Sequence, residues 1–255
     1  MIELYLVGIG MGNPAHLTGA AVQVLQTADL ILIPHKGSDK ADLADLRKQI
    51  CEELLSPVPS IKYFDLPSRD PKEPNYIKRV NYWHDVIAAL WHDNIQENCP
   101  GGGKIALMIW GDPSLYDSSL RIAESLKIKY THVKIHIIPG ITAIQLLTAA
   151  HGIPLNEIGS PVTISTGRQL SEKGWPEGCE TLVVMLDGTT AFDTLDHKEF
   201  NVWWGAYLGM KEEILISGPL SACCSAIKRQ RMKARKRHGW IMDTYLLRKI
   251  KTQHP

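Results

Sequence analysis

The stretch Leu4-Tyr5-Leu6-Val7-Gly8-Ile9-Gly10-Met11-Gly12-Asn13-Pro14, followed by Leu17-Thr18, decides the fold. Leu4–Ile9 is a short apolar run ending in glycines, the pattern of a buried strand. Leu17–Thr27 then shows helical spacing with Thr18 as a cap, and Ala28-Asp29-Leu30-Ile31-Leu32-Ile33 opens a second buried strand. Strand, glycine turn, helix and strand form a βαβ unit, which implies a parallel sheet with helices on its faces. Glycines let backbone come close to a ligand and permit positive φ. A dinucleotide fingerprint G-x-G-x-x-G fails here, because the third glycine is Gly12 and Asn13 follows it. An acidic residue about 20 positions on does exist, but Asp29 falls at the start of the second strand. A phosphate-binding P-loop fails too, for want of a following GK[ST].

Outward from that stretch, 35–79 is polar and proline-rich, with a helix expected over Asp42–Leu54. Asn75–Asn94 reads as a long helix, Ile105–Trp110 as a strand, Ser118–Leu126 as helix, Val133–Ile138 as strand and Thr142–Ala150 as helix. The second half changes character: Val162–Ser165, Thr181–Leu186 and Glu213–Ile216 read as strands of a different, mixed sheet. The expectation is two α/β domains, 1–155 and 156–255, with a ligand cleft between them.

Two further turns stand at strand ends. Trp110-Gly111-Asp112-Pro113-Ser114 follows a strand at the edge where open α/β sheets bind ligands. Asp112 there suits hydroxyl or ammonium groups of a ligand, or a helix N-cap with proline behind it. Ile138-Pro139-Gly140-Ile141-Thr142-Ala143 repeats the arrangement.

Bulk composition narrows the classes. The 255 residues are 44% hydrophobic, enough for a sizeable core. Lys and Arg number 28 against 27 Asp and Glu, which gives no overall call for nucleic acid or membrane. Cys51, Cys99, Cys179, Cys223 and Cys224 show no CxxC spacing, so neither a disulfide framework nor a metal site is expected, and a reducing, cytoplasmic compartment is. Met1-Ile2-Glu3-Leu4 lacks a basic leader, and no apolar run reaches the roughly 18 residues of a membrane helix.

The ordered set GxGxG-x-P-x-x-LT, GDP and PGITA resembles the tetrapyrrole methyltransferase family over nearly the whole chain. Within it, His35-Lys36-Gly37, Lys40–Leu43, Leu46-Arg47, Tyr82-Trp83, Trp204–Gly209, Glu213–Gly218 and His238–Arg248 look like the deacetylating C-methyltransferases of corrin assembly. The resemblance implies a homodimer of two-domain chains holding S-adenosylmethionine and releasing S-adenosylhomocysteine. It implies cofactor contacts at Met11, Trp110, Gly111, Asp112, Leu115, Thr142, Ala143, Met185, Gly205 and Ser221. The implied reaction methylates precorrin-5 at C-1 with loss of acetate, giving precorrin-6A. Another cobalamin-pathway or tetrapyrrole methyltransferase is the alternative within the family.

That chemistry needs an aligned methyl group, a base to activate water and cations for the substrate's many carboxylates. Some relatives carry an aspartate base near the end of the second strand. This chain has His35 and Lys36 instead, and His35 is the candidate base because imidazole titrates near neutrality. Lys36, Lys40, Arg47 and Arg168 are candidate carboxylate clamps. The basic run Lys228–His238 reads as a solvated helix face, with RNA contact as its alternative. A nicotinamide-binding oxidoreductase using the glycine loop is the alternative from another enzyme class. The seven tryptophans read mainly as core.

Overall fold

The computed structural model describes residues 1–35, 41–68 and 73–250. The chain divides into two compact units, 1–142 and 143–255. The division comes earlier than the expected boundary at 155. The helix Ala143–His151 packs on strands of the second unit and so counts with it.

The first unit holds a five-stranded parallel sheet in the order β3-β2-β4-β1-β5. Its strands are β1 (Ile2–Gly8), β2 (Leu30–His35), β3 (Ser60–Asp65), β4 (Gly103–Ile109) and β5 (Val133–Ile138). The helices are α1 (Gly19–Gln26), α2 (Ala41–Leu54), α3 (Tyr76–Asn98) and α4 (Ser119–Lys129). Strand side chains alternate between two faces. Leu4, Leu6, Leu32 and Leu107 face Ile87, Trp91 and Leu126 of α3 and α4. Val7, Ile31 and Met108 face Ala21, Leu25 and Ile50 of α1 and α2. Each fully buried aliphatic side chain contributes about 1.5–3 kcal/mol, and this two-sided core fixes the register of the central strands. Thr18 caps α1 by accepting the Ala21 N–H at 3.1 Å, and Asn75 caps α3 by accepting from Lys78 at 3.0 Å.

The strand β3 lies in the stretch expected to be irregular. It is an edge strand in which only Phe64 is buried, so it lacks an apolar alternation.

The second unit holds a mixed sheet, order β6-β7-β10-β8-β9, as expected. The strands β6 (Val162–Thr166) and β7 (Thr181–Met185) run parallel, and β8 (Phe200–Ala206), β9 (Ile214–Pro219) and β10 (Asp243–Lys249) add antiparallel pairs. Its helices are α5 (Ala143–His151), α6 (Gly167–Lys173) and α7 (Leu220–His238). The basic run lies on α7, where Arg231 and Ala234 turn inward while Lys228, Arg229, Lys233, Arg235, Lys236 and Arg237 are exposed. No described helix is long and apolar enough to cross a membrane. All five cysteines are free.

Candidate active site

Because all five strands of the first unit are parallel, their carboxyl ends share one edge, the edge where open α/β sheets bind ligands. The three turns singled out in the sequence follow β1, β4 and β5, which are neighbours in the sheet. They pack backbone against backbone. A Cβ at Gly8 would lie 2.6 Å from Gly140 N and 2.8 Å from Gly111 O. Gly10 and Gly111 pair across the gap: Gly111 N donates to Gly10 O at 2.7 Å, with both residues at positive φ. Only glycine adopts that backbone without strain. Here the glycine motif therefore reflects three turns closing on one another.

Three of the expected cofactor contacts meet here. A Cβ at Gly111 would lie 3.7 Å from Thr142 Cα and 3.9 Å from Met11 Sδ, so these residues line the same buried turn. Thr142 and Ala143 are buried, Met11 and Leu115 half-buried. A thioether and small residues beside this glycine suit an apolar, sulfur-bearing ligand portion, so the residues fit an S-adenosylmethionine-type group.

Asp112 is engaged within the protein. Its Oδ2 accepts the Gly140 N–H at 2.9 Å, and its Oδ1 accepts the backbone N–H of Ser114 at 2.8 Å and the Ser114 hydroxyl. Partial burial raises this carboxyl's pKa, but the three hydrogen bonds outweigh it and hold the pKa below the usual value. Asp112 does not cap α4, which begins at Ser119. It closes a turn over Pro113 and Ser114 and ties that turn to the one after β5.

Arg47 is buried and is not a carboxylate clamp. Its Nε donates to Met108 O at 3.0 Å, Nη1 donates to Leu43 O at 3.1 Å, and the guanidinium lies 4.7 Å from the Trp110 ring centroid. Burial lowers its pKa to about 10, with Asp117 opposing. It ties α2 to the end of β4 and stacks against the face of Trp110. Arg168 is exposed on α6. Lys36 and Lys40 lie outside the described residues.

His35 ends β2, and β3 brings Asp65 opposite it. Nδ1 of His35 lies 3.2 Å from Asp65 Oδ1, with the imidazole about one-third exposed. An ionised carboxylate only accepts, so Nδ1 carries the proton and Nε2 is left as the basic nitrogen. Asp65 escaped the sequence reading because its strand did.

In the second unit, Met185 ends β7 beside Thr166 in the ladder. Gly205 pairs with Thr244 on one side and Leu215 on the other, and a Cβ there would strike Leu208 and Leu147. Its lack of a side chain thus answers packing as well as any ligand. Ser221 is exposed in the first turn of α7. Asp29, where a nicotinamide fingerprint would want its acid, instead accepts the Lys104 N–H at 2.8 Å at the sheet's opposite edge.

The model of the tetrapyrrole (corrin/porphyrin) methylases matches residues 3–223. The chain is 42% identical, over 98% of its length and 96% of the relative's, to precorrin-6A synthase [deacetylating] of a Sinorhizobium species. Its fold matches the crystal structure of a protein from Corynebacterium diphtheriae described as cobalamin-synthesis-related (CobF), with TM-score 0.84, 38% identity, and 98% and 100% of the two chains covered. It also matches uroporphyrin-III C-methyltransferase of Thermus thermophilus solved with S-adenosyl homocysteine, with TM-score 0.55, 17% identity, and 96% and 91% covered, a likeness of fold alone. Three glycine turns closing at one sheet edge, with the match to nearly all of the first unit and much of the second, establish that this chain belongs to the tetrapyrrole (corrin/porphyrin) methylase family and is a methyltransferase.

Proposed function

We propose that the chain transfers the methyl group of S-adenosylmethionine to C-1 of precorrin-5 and releases the ring's acetyl group as acetate, giving precorrin-6A and S-adenosylhomocysteine in cobalamin biosynthesis. The observation that carries this reading is the 42% identity along almost the full length of both chains to an enzyme named for that product and for deacetylation. The cradle of Met11, Gly111 and Thr142 supports the choice of methyl donor. The bound donor supplies a methyl group that is already electrophilic. The protein's part is to align it.

In this reading Met11, Trp110, Gly111, Leu115 and Thr142 touch the donor, and Asp112 shapes their turn. Ala143, Met185, Gly205 and Ser221 are further proposed donor contacts on the strength of the resemblance alone. His35 serves the deacetylation. With Nδ1–H held by Asp65, Nε2 accepts a proton from water, the hydroxide oxygen bonds to the acetyl carbonyl carbon, and the bond from that carbon to the ring breaks. The bonding pair returns to the macrocycle and acetate departs. Lys36 remains a proposed partner of substrate carboxylates.

Incubation with precorrin-5 and methyl-labelled S-adenosylmethionine, scored by mass, tests the reaction. Labelled product and acetate should form in equal amounts. Methylation without acetate would exclude the deacetylating reaction and leave the family untouched. A cytoplasmic homodimer is part of the proposal. Free cysteines and the absence of a membrane-length helix among the described residues support the compartment, and the resemblance alone supports the dimer, which sedimentation tests.

A further inference from the structure

A cluster of three different donor side chains lies in the second unit, and none of the three is among the residues assigned to methyl transfer. Asp193 sits in the 3-10 turn Ala191–Thr194, His197 in the next turn, His197–Glu199, and Cys224 on α7. One ligand atom from each lies within 4.8 Å of the others. Cys224 Sγ donates to Asp193 Oδ1 at 3.1 Å, and His197 Nε2 lies 3.9 Å from the same oxygen. His197 Nε2 is buried and has no hydrogen-bond partner. Buried polar nitrogens are ordinarily satisfied, so a bare one aimed at a carboxylate and a thiol needs a reason.

We propose that Asp193, His197 and Cys224 form a binding site for one zinc-type divalent ion. Thiolate, imidazole and carboxylate together are the donor set such a borderline ion takes. In a tetrahedral site with bonds of about 2.0–2.3 Å, donors stand roughly 3.3–3.8 Å apart, so the present cluster needs only small side-chain movements. The ion takes Asp193 Oδ1 and replaces the Cys224 proton. Asp193 Oδ2 is already held by Lys228 Nζ at 2.7 Å and Thr190 Oγ1 at 3.0 Å, which orients the carboxylate as outer-shell partners do. With three protein ligands the fourth position is left to water. The side chains of Asp193 and His197 are about one-third exposed, so an ion has a way in. No sequence spacing marks the site, because 27 residues or more separate Cys224 from the other two ligands. An ion there would clamp the turns at 191–199 onto α7.

The test is a Co2+ titration of the full-length, reduced, metal-free protein, followed by Zn2+ competition. The expected result is one ion per chain with a near-ultraviolet thiolate-to-cobalt band that Zn2+ abolishes. C224S should lose the band, and H197Q should weaken zinc binding by about ten-fold or more. C223S, which removes the neighbouring thiol, should keep both. Zn2+ should also raise the Tm of the wild type and not of C224S. A band that survives in C224S, or H197Q binding zinc as tightly as the wild type, would overturn the proposal. Circular dichroism of each variant separates a lost site from a lost fold. Should C224S not fold, H197Q alone decides.

Discussion

The Asp112 carboxylate accepts the Gly140 backbone N–H through Oδ2 at 2.9 Å, a bond spanning two turns on separate strands. Replacing Asp112 with alanine removes this bond and both bonds from Ser114. A cost of about 1–3 kcal/mol is expected in urea unfolding, as for hydrogen bonds to a charged group. S-adenosylhomocysteine binding should weaken as well, because the loosened turn carries Gly111 and Leu115. The carboxyl's folded pKa is lower than its ordinary 3.8. Its contribution is therefore complete above about pH 4 and is lost as pH falls through the lower folded value. Wild type and variant should converge in stability toward acid pH.

Gly140 is the second half of that relationship. A Cβ there would collide with the Gly111 carbonyl and lie 2.8 Å from Gly8 Cα, both backbone atoms that cannot rotate away. Gly140→Ala should cost about 1–3 kcal/mol or more, as overpacking does. The denaturant midpoint should fall with the m-value unchanged. By contrast, Gly19→Ala at the start of α1 meets nothing within 4 Å and should be close to neutral or stabilising. Equal losses from the two changes would refute this account of the turn.

These turns were legible in the sequence because strand ends, glycines and capping residues leave local marks. Thr18 and Asn75 cap where their side chains allow, and the buried runs of β1, β2 and β4 declare themselves by continuous hydrophobicity. What was not legible depends on long-range pairing. Edge strand β3 buries little, so neither it nor Asp65 could be placed beside His35. The strands β8 and β10 likewise went unread, though both are well buried, because their apolar residues gain meaning only from their neighbours in the second sheet. Arg47 looked like a clamp from its charge. Only the fold shows its guanidinium satisfied by Met108 and Leu43 carbonyls.

The His35–Asp65 pair separates a base from its positioning residue. His35→Ala should cut acetate release by about 10²–10⁴-fold, the range for a lost general base. Binding of S-adenosylhomocysteine should be unaffected, since His35 lies on β2 and the donor cradle on β1, β4 and β5. Asp65→Asn should cut acetate release less, and should change its pH profile because the amide no longer fixes the Nδ1–H form. Wild-type acetate release in His35→Ala would sink the assignment. An unaltered profile in Asp65→Asn would remove Asp65 from it.

A buried ion pair in the second unit makes the sharpest stability prediction. Arg231 Nε lies 3.1 Å from Asp243 Oδ2, with both side chains almost wholly buried, and Trp204 Nε1 donates to the same oxygen at 2.8 Å. Arg231 also donates to the Asp187 carbonyl, while Tyr245 donates to the Asp187 carboxylate at 2.7 Å. Breaking a buried pair from one side leaves an uncompensated charge, so Arg231→Met should cost about 3–5 kcal/mol near neutral pH. Burial already raises the Asp243 pKa and Arg231 pulls it back down, so removing Arg231 raises it further. The folded variant then binds a proton that the unfolded chain, with an ordinary value of 3.8, releases. The destabilisation should accordingly shrink as pH falls from neutral through the raised folded pKa, and level off near pH 4. Adding Asp243→Asn removes the stranded charge. The double variant should recover part of the loss at pH 7 and show little of this pH dependence. A loss in Arg231→Met that is the same at pH 7 and pH 5, with no recovery in the double variant, would show that Arg231 matters through packing of its stem and not through its charge.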